Sequence, residues 1–204
     1  MNDCCSSVEG VVVNSTALLE AHIPELRRFA RALLRGDRDR ADDLLQDSLE
    51  RAIANWDQRR RDGNLRHWLY AIVYNRFLTD RKRRLRWDRW LGLLGPIVEE
   101  DLPHFNGGQA GALAYRDLLR GFAKLPADQR AVLFLVGVEN FSYAEAAVIL
   151  NVPIGTVMSR LSRGRECLRQ YMEGNLDQIG SPRRATKRGR SSPIVAMLLS
   201  TNSI

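Results

Sequence analysis

The 204-residue chain has few residues that bind metals: three cysteines and three histidines. No two cysteines are spaced as CxxC, and Cys4 and Cys5 are adjacent near the start of the chain. A closed zinc site needs four ligands, usually arranged in spaced pairs. We therefore predict neither a metal nor any other cofactor. Cys167 falls on a helical pattern, which predicts a small core residue.

Long apolar runs are also absent. No stretch approaches the roughly 18 apolar residues that a transmembrane helix needs. The first residues lack the basic start of a signal peptide, and Asp3 and Glu9 flank a very short apolar run. We therefore expect a cytoplasmic chain without membrane insertion.

Acidic residues are the minority charge. The chain has 31 Lys and Arg against 24 Asp and Glu, with a net charge of +7 and an isoelectric point near 9.8. A basic chain of this size favours nucleic acid as its partner, with an anionic membrane surface as the second candidate. Its 45% hydrophobic and 27% charged residues are typical of a soluble globular protein, of one ordinary domain or two small ones.

The first half of the chain has a helical period and no strand signal. A helix is predicted from Thr16 to Arg35, with Gly36 ending it. Asp39 is predicted to cap the next helix. The apolar stripe of the first helix is Leu26, Phe29, Ala30, Leu33 and Leu34. That of the second is Ala41, Leu44, Leu45, Ser48, Leu49, Ala52, Ile53 and Trp56.

The opposite face of the second predicted helix is acidic. Asp43, Gln46, Asp47 and Glu50 follow at i, i+3, i+4 and i+7. A solvated helix face is the usual explanation of such a stripe. In a basic protein the functional alternative is a docking surface for a basic partner.

The stretch 64–84 contains no Gly or Pro, which predicts a helix of roughly five turns. One face would be an apolar core stripe of Leu65, Trp68, Leu69, Ile72 and Val73. The other would carry Tyr70, Tyr74 and Phe77, flanked by Arg66, His67 and Arg81. Exposed rings among positive charges suit unstacked bases beside a phosphate backbone. The alternative is a solvated helix that carries tyrosines.

The region 87–111 is rich in Gly, Pro and acidic residues, which predicts a linker, with a short extra helix possible at 86–94. Helical patterning resumes at Ala112 and continues to about Tyr171. Ser142 and Glu145 form a capping box that opens a helix over 143–150. A turn precedes a helix from about Gly155 to Met172, whose buried side is Val157, Leu161, Gly164 and Leu168. Two such helices joined by a tight turn indicate a helix-turn-helix motif.

Several segments together carry a resemblance to a known family. They are DRADDLLQDSLERA at 39–52, Trp68-Leu69 with Asn75 and Asp80, LPADQRAV at 125–132, FSYAEAA at 141–147 and GTVMSRLSRGR at 155–165. In this order the chain resembles the extracytoplasmic-function (ECF) sigma factors, two-domain initiation subunits of RNA polymerase. The resemblance covers about 16–86 and 112–172.

The resemblance implies an all-α fold of two small helical domains joined by a flexible linker. A region-two-like bundle for core binding and promoter melting would span 16–86, the linker 87–111, and a region-four-like helix-turn-helix domain 112–173. Composition predicts a flexible N-terminus over 1–15 and a basic, disordered tail over 174–204, and this tail goes beyond what the family requires. The implied function is to bind core RNA polymerase, direct it to specific promoters and help melt the start-proximal element. No enzymatic activity is implied.

The resemblance also implies three sets of site residues. Core polymerase would be bound by Asp42, Asp43, Gln46, Asp47 and Glu50. The minus-ten element would be bound and melted by Arg59, Arg60, Arg61, Asn64, Arg66, His67, Trp68, Tyr70, Tyr74, Asn75, Phe77, Arg81, Arg83 and Arg84. The minus-thirty-five element would be bound by Thr156, Met158, Ser159, Arg160, Ser162, Arg163 and Arg165. Met158 and Ser162 depart from the residue types common in the family, which affects which promoter sequence is recognised.

The implied partners are core RNA polymerase, through the clamp helices of its largest subunit and its flap, promoter DNA, and an anti-sigma factor. No small-molecule substrate is expected. The main alternative is a helix-turn-helix repressor or activator that does not bind core polymerase, but no heptad or dimer face supports it. A nuclease would need clustered metal ligands. The one acidic cluster, Asp42, Asp43 and Asp47, has the helical spacing of a surface stripe.

Overall fold

A computed structural model of the protein describes residues 18–59, 63–91 and 110–173. These residues contain helices and turns and no strand, which confirms the all-α prediction. After a helical turn at 18–20 come the helices α1 (Ile23–Leu33), α2 (Arg38–Ala54), α3 (Leu65–Leu91), α4 (Ala110–Lys124), α5 (Ala127–Gly137), α6 (Tyr143–Leu150) and α7 (Ile154–Met172). The predictions for the N-terminus, most of the linker and the basic tail lie outside the described residues.

The chain divides into two compact units, with α1, α2 and α3 in the first. In this unit the three helices pack on one another in all three pairings. The predicted stripe of α1 is buried at Leu26, Phe29, Ala30 and Leu33. The chain then leaves α1 through a left-handed turn, in which Gly36 has φ of 91° and its N–H donates to the carbonyl of Arg31 at 2.8 Å. The helix itself ends at Leu33 with Leu34 as its C-cap, so the end predicted at Arg35 and Gly36 was two residues late. Gly36 follows in the turn, where a glycine has no Cβ to clash.

The start of α2 differs from the prediction. Its N-cap is Asp37, whose carboxylate accepts the backbone N–H of Arg40 at 3.0 Å, so the assignment of the cap to Asp39 was wrong. Asp39 lies in the first turn, where an acidic side chain interacts favourably with the helix dipole. The predicted core stripe is buried at Ala41, Leu44, Leu45, Ser48 and Ala52. Ile53, predicted to be buried, is exposed.

Helix α3 runs without a break from Leu65 to Leu91, so the separate short helix considered for 86–94 is wrong. The sequence has no helix breaker before Gly92. Asn64 caps the helix with its side-chain oxygen, which accepts the backbone N–H of Arg66 at 2.9 Å. This capping hydrogen bond fixes the position at which α3 begins.

In the second unit, α7 packs on both α4 and α5. The turn between α4 and α5 is held by buried Arg130, whose guanidinium donates to the carbonyls of Ala123, at 3.2 Å, and Leu125. These carbonyls lie at the end of α4, where helical partners run out.

The predicted helix-turn-helix is present. The N–H of Ser142 donates to Glu145 at 2.7 Å and the N–H of Glu145 to the Ser142 hydroxyl at 3.2 Å, which confirms the capping box of α6. The buried residues of α7 are Val157, Leu161, Gly164 and Leu168, as predicted. A Cβ on Gly164 would lie 2.7 Å from Cδ1 of Leu133. Glycine at this position therefore lets α5 and α7 approach closely.

Candidate functional sites

The acidic stripe of α2 lies on the surface of the first unit. Asp42, Asp43, Gln46 and Glu50 are exposed, opposite the buried stripe of the same helix. Asp42 is paired with Arg27 of α1 at 3.0 Å, and Gln46 donates to Glu50 at 3.1 Å. Within the described residues Asp43 has no ion pair. This carboxylate is therefore available to a basic partner.

Asp47 belongs to the same stripe but has a different environment. Its Oδ2 accepts from both Nε and Nη2 of Arg76 on α3, at 3.1 and 2.6 Å. Arg76 also lies 3.6 Å from Asp80, and its hydrogen bond with Asp47 raises the pKa of the guanidinium. Asp47 thus ties α2 to α3. Sequence analysis missed Arg76, whose partner is distant in the chain.

The predicted aromatic face of α3 is buried, so its assignment as an open base-stacking surface was wrong. Tyr70, Tyr74 and Phe77 are 0%, 2% and 6% exposed. The ring of Tyr70 lies 5.0 Å from that of Phe29 on α1. The buried stripe of α3 consists of Leu69, Tyr70, Val73, Tyr74 and Phe77. It is displaced from the predicted stripe by one residue, which is about 100° around the helix axis. Leu65, Trp68 and Ile72 are half-buried at its margin.

Arg66, assigned to DNA, is engaged within its own unit. Its Nε lies 2.9 Å from Glu25 of α1, and its guanidinium stacks over the ring of Tyr70 at 5.3 Å. Glu25 also contacts Nδ1 of His22 at 2.5 Å. The ion pair between Arg66 and Glu25 therefore holds the start of α3 against α1. His67 beside it is half-buried.

The loop before α3 is held by aromatic contacts. Trp56 and Trp68 meet edge to face with ring centroids 6.2 Å apart. Arg59 stacks over Trp56 at 5.1 Å and donates to the carbonyl of Gly63 at 3.4 Å. Asn64 and Asn75 are exposed, as are Arg81, Arg83 and Arg84 further along α3. Arg60 and Arg61 lie outside the described residues.

The exposed face of α7 carries Met158, Ser159, Ser162 and Arg163. Arg163 has no ion pair within the described residues. Arg160, predicted to lie on this free face, is instead half-buried and paired through Nη2 with Asp128 of α5 at 3.1 Å. Thr156 and Arg165 are also half-buried, and the hydroxyl of Ser159 donates to the carbonyl of Thr156 at 3.1 Å. Of the arginines assigned to this surface, Arg163 is the one that is exposed.

The C-terminal half of α7 is nearly neutral, because Arg169 bridges Glu166 at 2.7 Å and Glu173 at 3.0 Å. The hydrogen bond from Arg169 lowers the pKa of Glu166. Between them, Cys167 is half-buried and its burial raises the pKa of the thiol, which favours packing over reactivity. The basic surface of α7 is thus confined to its N-terminal half.

The described ranges hold no group of three His, Cys, Asp or Glu side chains that could bind a metal ion. None of their helices has both the length and the apolarity to span a membrane.

Both units match known families. Residues 19–74 match the model "Sigma2 domain of PhyR", and residues 115–168 match "Sigma-70, region 4". The ECF RNA polymerase sigma factor EcfG of Rhodopseudomonas palustris is 39% identical over 160 residues, covering 77% of this chain and 85% of EcfG. SigM of Mycobacterium tuberculosis is 33% identical, with 76% and 75% of the two chains covered.

The fold agrees with that of solved structures. The sigma factor RpoE in its co-crystal structure with the anti-sigma factor NepR from Bartonella quintana is 32% identical, with a TM-score of 0.66 over 81% of this chain and 99% of that one. CnrH, solved with the cytosolic domain of CnrY, shares the fold at 24% identity and a TM-score of 0.53, over 78% and 88% of the two chains. The chain therefore belongs to the ECF family of RNA polymerase sigma factors. It is a subunit that directs RNA polymerase to promoters.

Proposed function

We propose that this sigma factor uses three separate surfaces for initiation. The acidic stripe of α2 binds core polymerase, the loop before α3 and the exposed side of α3 bind the minus-ten element, and α7 binds the minus-thirty-five element. One observation carries the proposal. Asp43, Arg83, Arg84 and Arg163 are exposed and have no ion pair within the described residues, and each lies on one of these surfaces.

Docking on core polymerase is carried by Asp43 and Glu50, with Gln46 between them. These side chains face away from the core of the unit, so a basic helix could reach them without any rearrangement. Asp42 and Asp47 are already paired with Arg27 and Arg76. We infer that these two residues hold α2 in position against α1 and α3. Charge complementarity of this kind sets the register and the association rate of a complex.

Contacts to the minus-ten element are made by polar and basic groups. The buried aromatic stripe of α3 forms the platform beneath them. The candidates are Arg59, Arg60, Arg61, Asn64, Trp68, Asn75, Arg81, Arg83 and Arg84. Trp68, half-buried beside Trp56, lies next to the loop and could stack on an unpaired base.

Contacts to the minus-thirty-five element centre on Arg163. The N-terminal turns of the second helix of a helix-turn-helix approach base edges in the major groove. The guanidinium of an exposed arginine can donate two hydrogen bonds to guanine. Arg160 is paired with Asp128, and we assign it a phosphate contact beside Arg163. Ser159 and Met158 complete the exposed edge.

An anti-sigma factor is the proposed regulator, because RpoE, 32% identical, was solved in complex with the anti-sigma factor NepR. We further propose that the chain acts in the cytoplasm, where core polymerase and promoter DNA are found. No catalytic step is assigned to it, since its relatives are sigma factors.

A promoter library transcribed by core polymerase with this chain tests the assignment of α7. If Arg163 contacts a base, Arg163→Ala should weaken binding to the preferred promoter by about 1–3 kcal/mol. It should also reduce the preference for one base at a single position of the upstream element. Arg169→Ala, on the same helix but paired with two glutamates, is the control and should keep the preference. A uniform loss over all promoters would reduce Arg163 to a phosphate contact. Unchanged activity and preference would remove α7 from the DNA interface.

A further inference from the structure

Helix α3 carries an exposed, basic segment after Asp80. Residues 81–87, which we call the basic arm, are all exposed. Even the apolar side chains of Leu85 and Trp87 are 48% and 60% exposed. A helix gains most of its stability in proteins from packing an apolar face, and this segment buries none of its side chains.

The basic side chains of the arm also differ from many arginines in the rest of the described helices, which are paired with carboxylates. Across the described helices, arginines are repeatedly matched to carboxylates, as in Arg27 with Asp42, Arg66 with Glu25, Arg76 with Asp47, Arg160 with Asp128 and Arg169 with Glu166. Within the same ranges, no ion pair involves Lys82, Arg83, Arg84 or Arg86. Lys82 and Arg86 are four residues apart, and Arg83 and Arg86 three. Like charges at these spacings destabilise a helix.

The root of the arm, in contrast, is firmly held. Arg76 lies between Asp47 of α2 and Asp80, at 2.6 and 3.6 Å. The helix therefore leaves the unit from a fixed point and carries its uncompensated charges outward. A polyanion would supply the missing countercharge.

We propose that the basic arm binds the phosphates of duplex DNA next to the melted element, through Lys82 and Arg86. This rests on the proposed function and adds two residues to it. Lys82 and Arg86 project from the same side of the helix, with a rise of about 6 Å between them. They lie about 25–32 Å along the helix from Leu65, where the loop is assigned to the melted strand. The arm would therefore reach the edge of that element, with Arg83 and Arg84 toward the melted strand and Lys82 and Arg86, on another side of the helix, toward the adjoining duplex.

A protein partner fits the arm less well than DNA does. Leu85 and Trp87 are two positions apart, so they project about 200° from each other at 100° per residue and form no common apolar face. A protein interface needs a desolvated apolar centre. Binding to DNA phosphates needs only accessible positive charge, and basic side chains on any side of a helix can provide it.

The experiment uses reconstituted holoenzyme and a promoter recovered from the library. Affinity is measured over a salt series for a fork probe with duplex upstream of the minus-ten element and for a single-stranded minus-ten oligonucleotide. Lys82→Gln with Arg86→Gln is compared with the parent chain. Arg28→Gln with Arg35→Gln, which removes two exposed charges from the same unit, is the control.

On the fork probe, the slope of log affinity against log salt should fall by about 1.8, at about 0.9 per lost contact. Between 50 and 200 mM salt, the affinity of the parent should therefore drop about 12-fold more than that of the arm variant. The two should be equal on the oligonucleotide, and the control should match the parent on both probes.

Three results would overturn the proposal. An unchanged slope on the fork would exclude the duplex contact, and an equal loss on the oligonucleotide would mean that the arm contacts the single strand. Unaltered DNA binding combined with lost binding of core polymerase or of an anti-sigma factor would assign the arm to a protein. If the parent holoenzyme bound neither probe, the proposed function itself would fail.

Discussion

Tyr70 shows how a side chain suited to DNA can instead serve the fold. It is fully buried, against Phe29 and beneath the guanidinium of Arg66. Its ring therefore joins α1 to α3 and supports the end of α3 that carries the proposed minus-ten contacts. We attribute its role to packing.

Substitution of Tyr70 separates packing from base stacking. Tyr70→Ala should lower the free energy of unfolding by about 3–5 kcal/mol, because it removes a buried ring. Tyr70→Phe keeps the ring and its packing against Phe29, and it should cost less than about 1.5 kcal/mol, as swaps that conserve volume usually do. Urea unfolding of the full chain, followed by circular dichroism, measures both. A stable Tyr70→Ala variant that forms closed complexes but fails to open DNA would restore the base-stacking assignment.

At the same scale, the sequence predicts buried positions well where one apolar stripe stands alone. All four buried residues of α7 were predicted, since they follow one clean helical period. On α3 an aliphatic and an aromatic stripe lie side by side, and only the positions of α1 and α2 decide between them. The pairing of Arg160 with Asp128 could likewise not be predicted from the sequence, because the two partners are 32 positions apart in the chain.

The crossing of α5 and α7 shows what decides an element's position. Gly164 faces Leu133, and its missing side chain sets how closely the two helices approach. Such a close contact couples the exposed face of α7 to the rest of the unit. A larger residue at this position would have to displace α7 or repack Leu133.

Two glycines of α7 test this coupling as a matched pair. Gly164→Ala should destabilise the protein by about 1–3 kcal/mol through overpacking, partly offset by up to about 1 kcal/mol of helix propensity. Gly155→Ala is the control, because a Cβ there would meet nothing within 4 Å. It should leave stability equal or slightly higher. Thermal unfolding measures both, and a Gly164→Ala variant as stable as Gly155→Ala would contradict the close approach of α5 and α7.

The elements themselves were largely predictable, and their ends less so. Capping chemistry predicted α6, since Ser142 and Glu145 bond each other as the motif requires. It placed the cap of α2 two residues late, because Asp37 and Asp39 are chemically equal and the backbone selects between them. The end of α3 was missed because the charged stretch after Asp80 has no apolar period, yet it also has no breaker.

For the whole molecule, periodicity and the order of the motifs predicted two helical domains and the sigma-factor family. The surfaces could be predicted only in part. The acidic stripe of α2 is exposed as expected, but its internal pairing with Arg27 and Arg76 divides it into positioning residues and residues open to a partner. The sequence marks the charges, whereas only the folded unit shows which ones are already neutralised.

Promoter-dependent transcription by core polymerase reconstituted with this chain tests the central claim most directly. The parent chain should co-elute with core polymerase and yield transcripts. Asp43→Lys with Glu50→Lys should abolish both while keeping helical circular dichroism, since placing like charges together at an interface costs several kcal/mol. Glu20→Lys with Glu173→Lys, the same charge change at exposed positions elsewhere, should behave as the parent does. Transcription that persists with lysines at 43 and 50, or that never appears with the parent chain, would contradict the account.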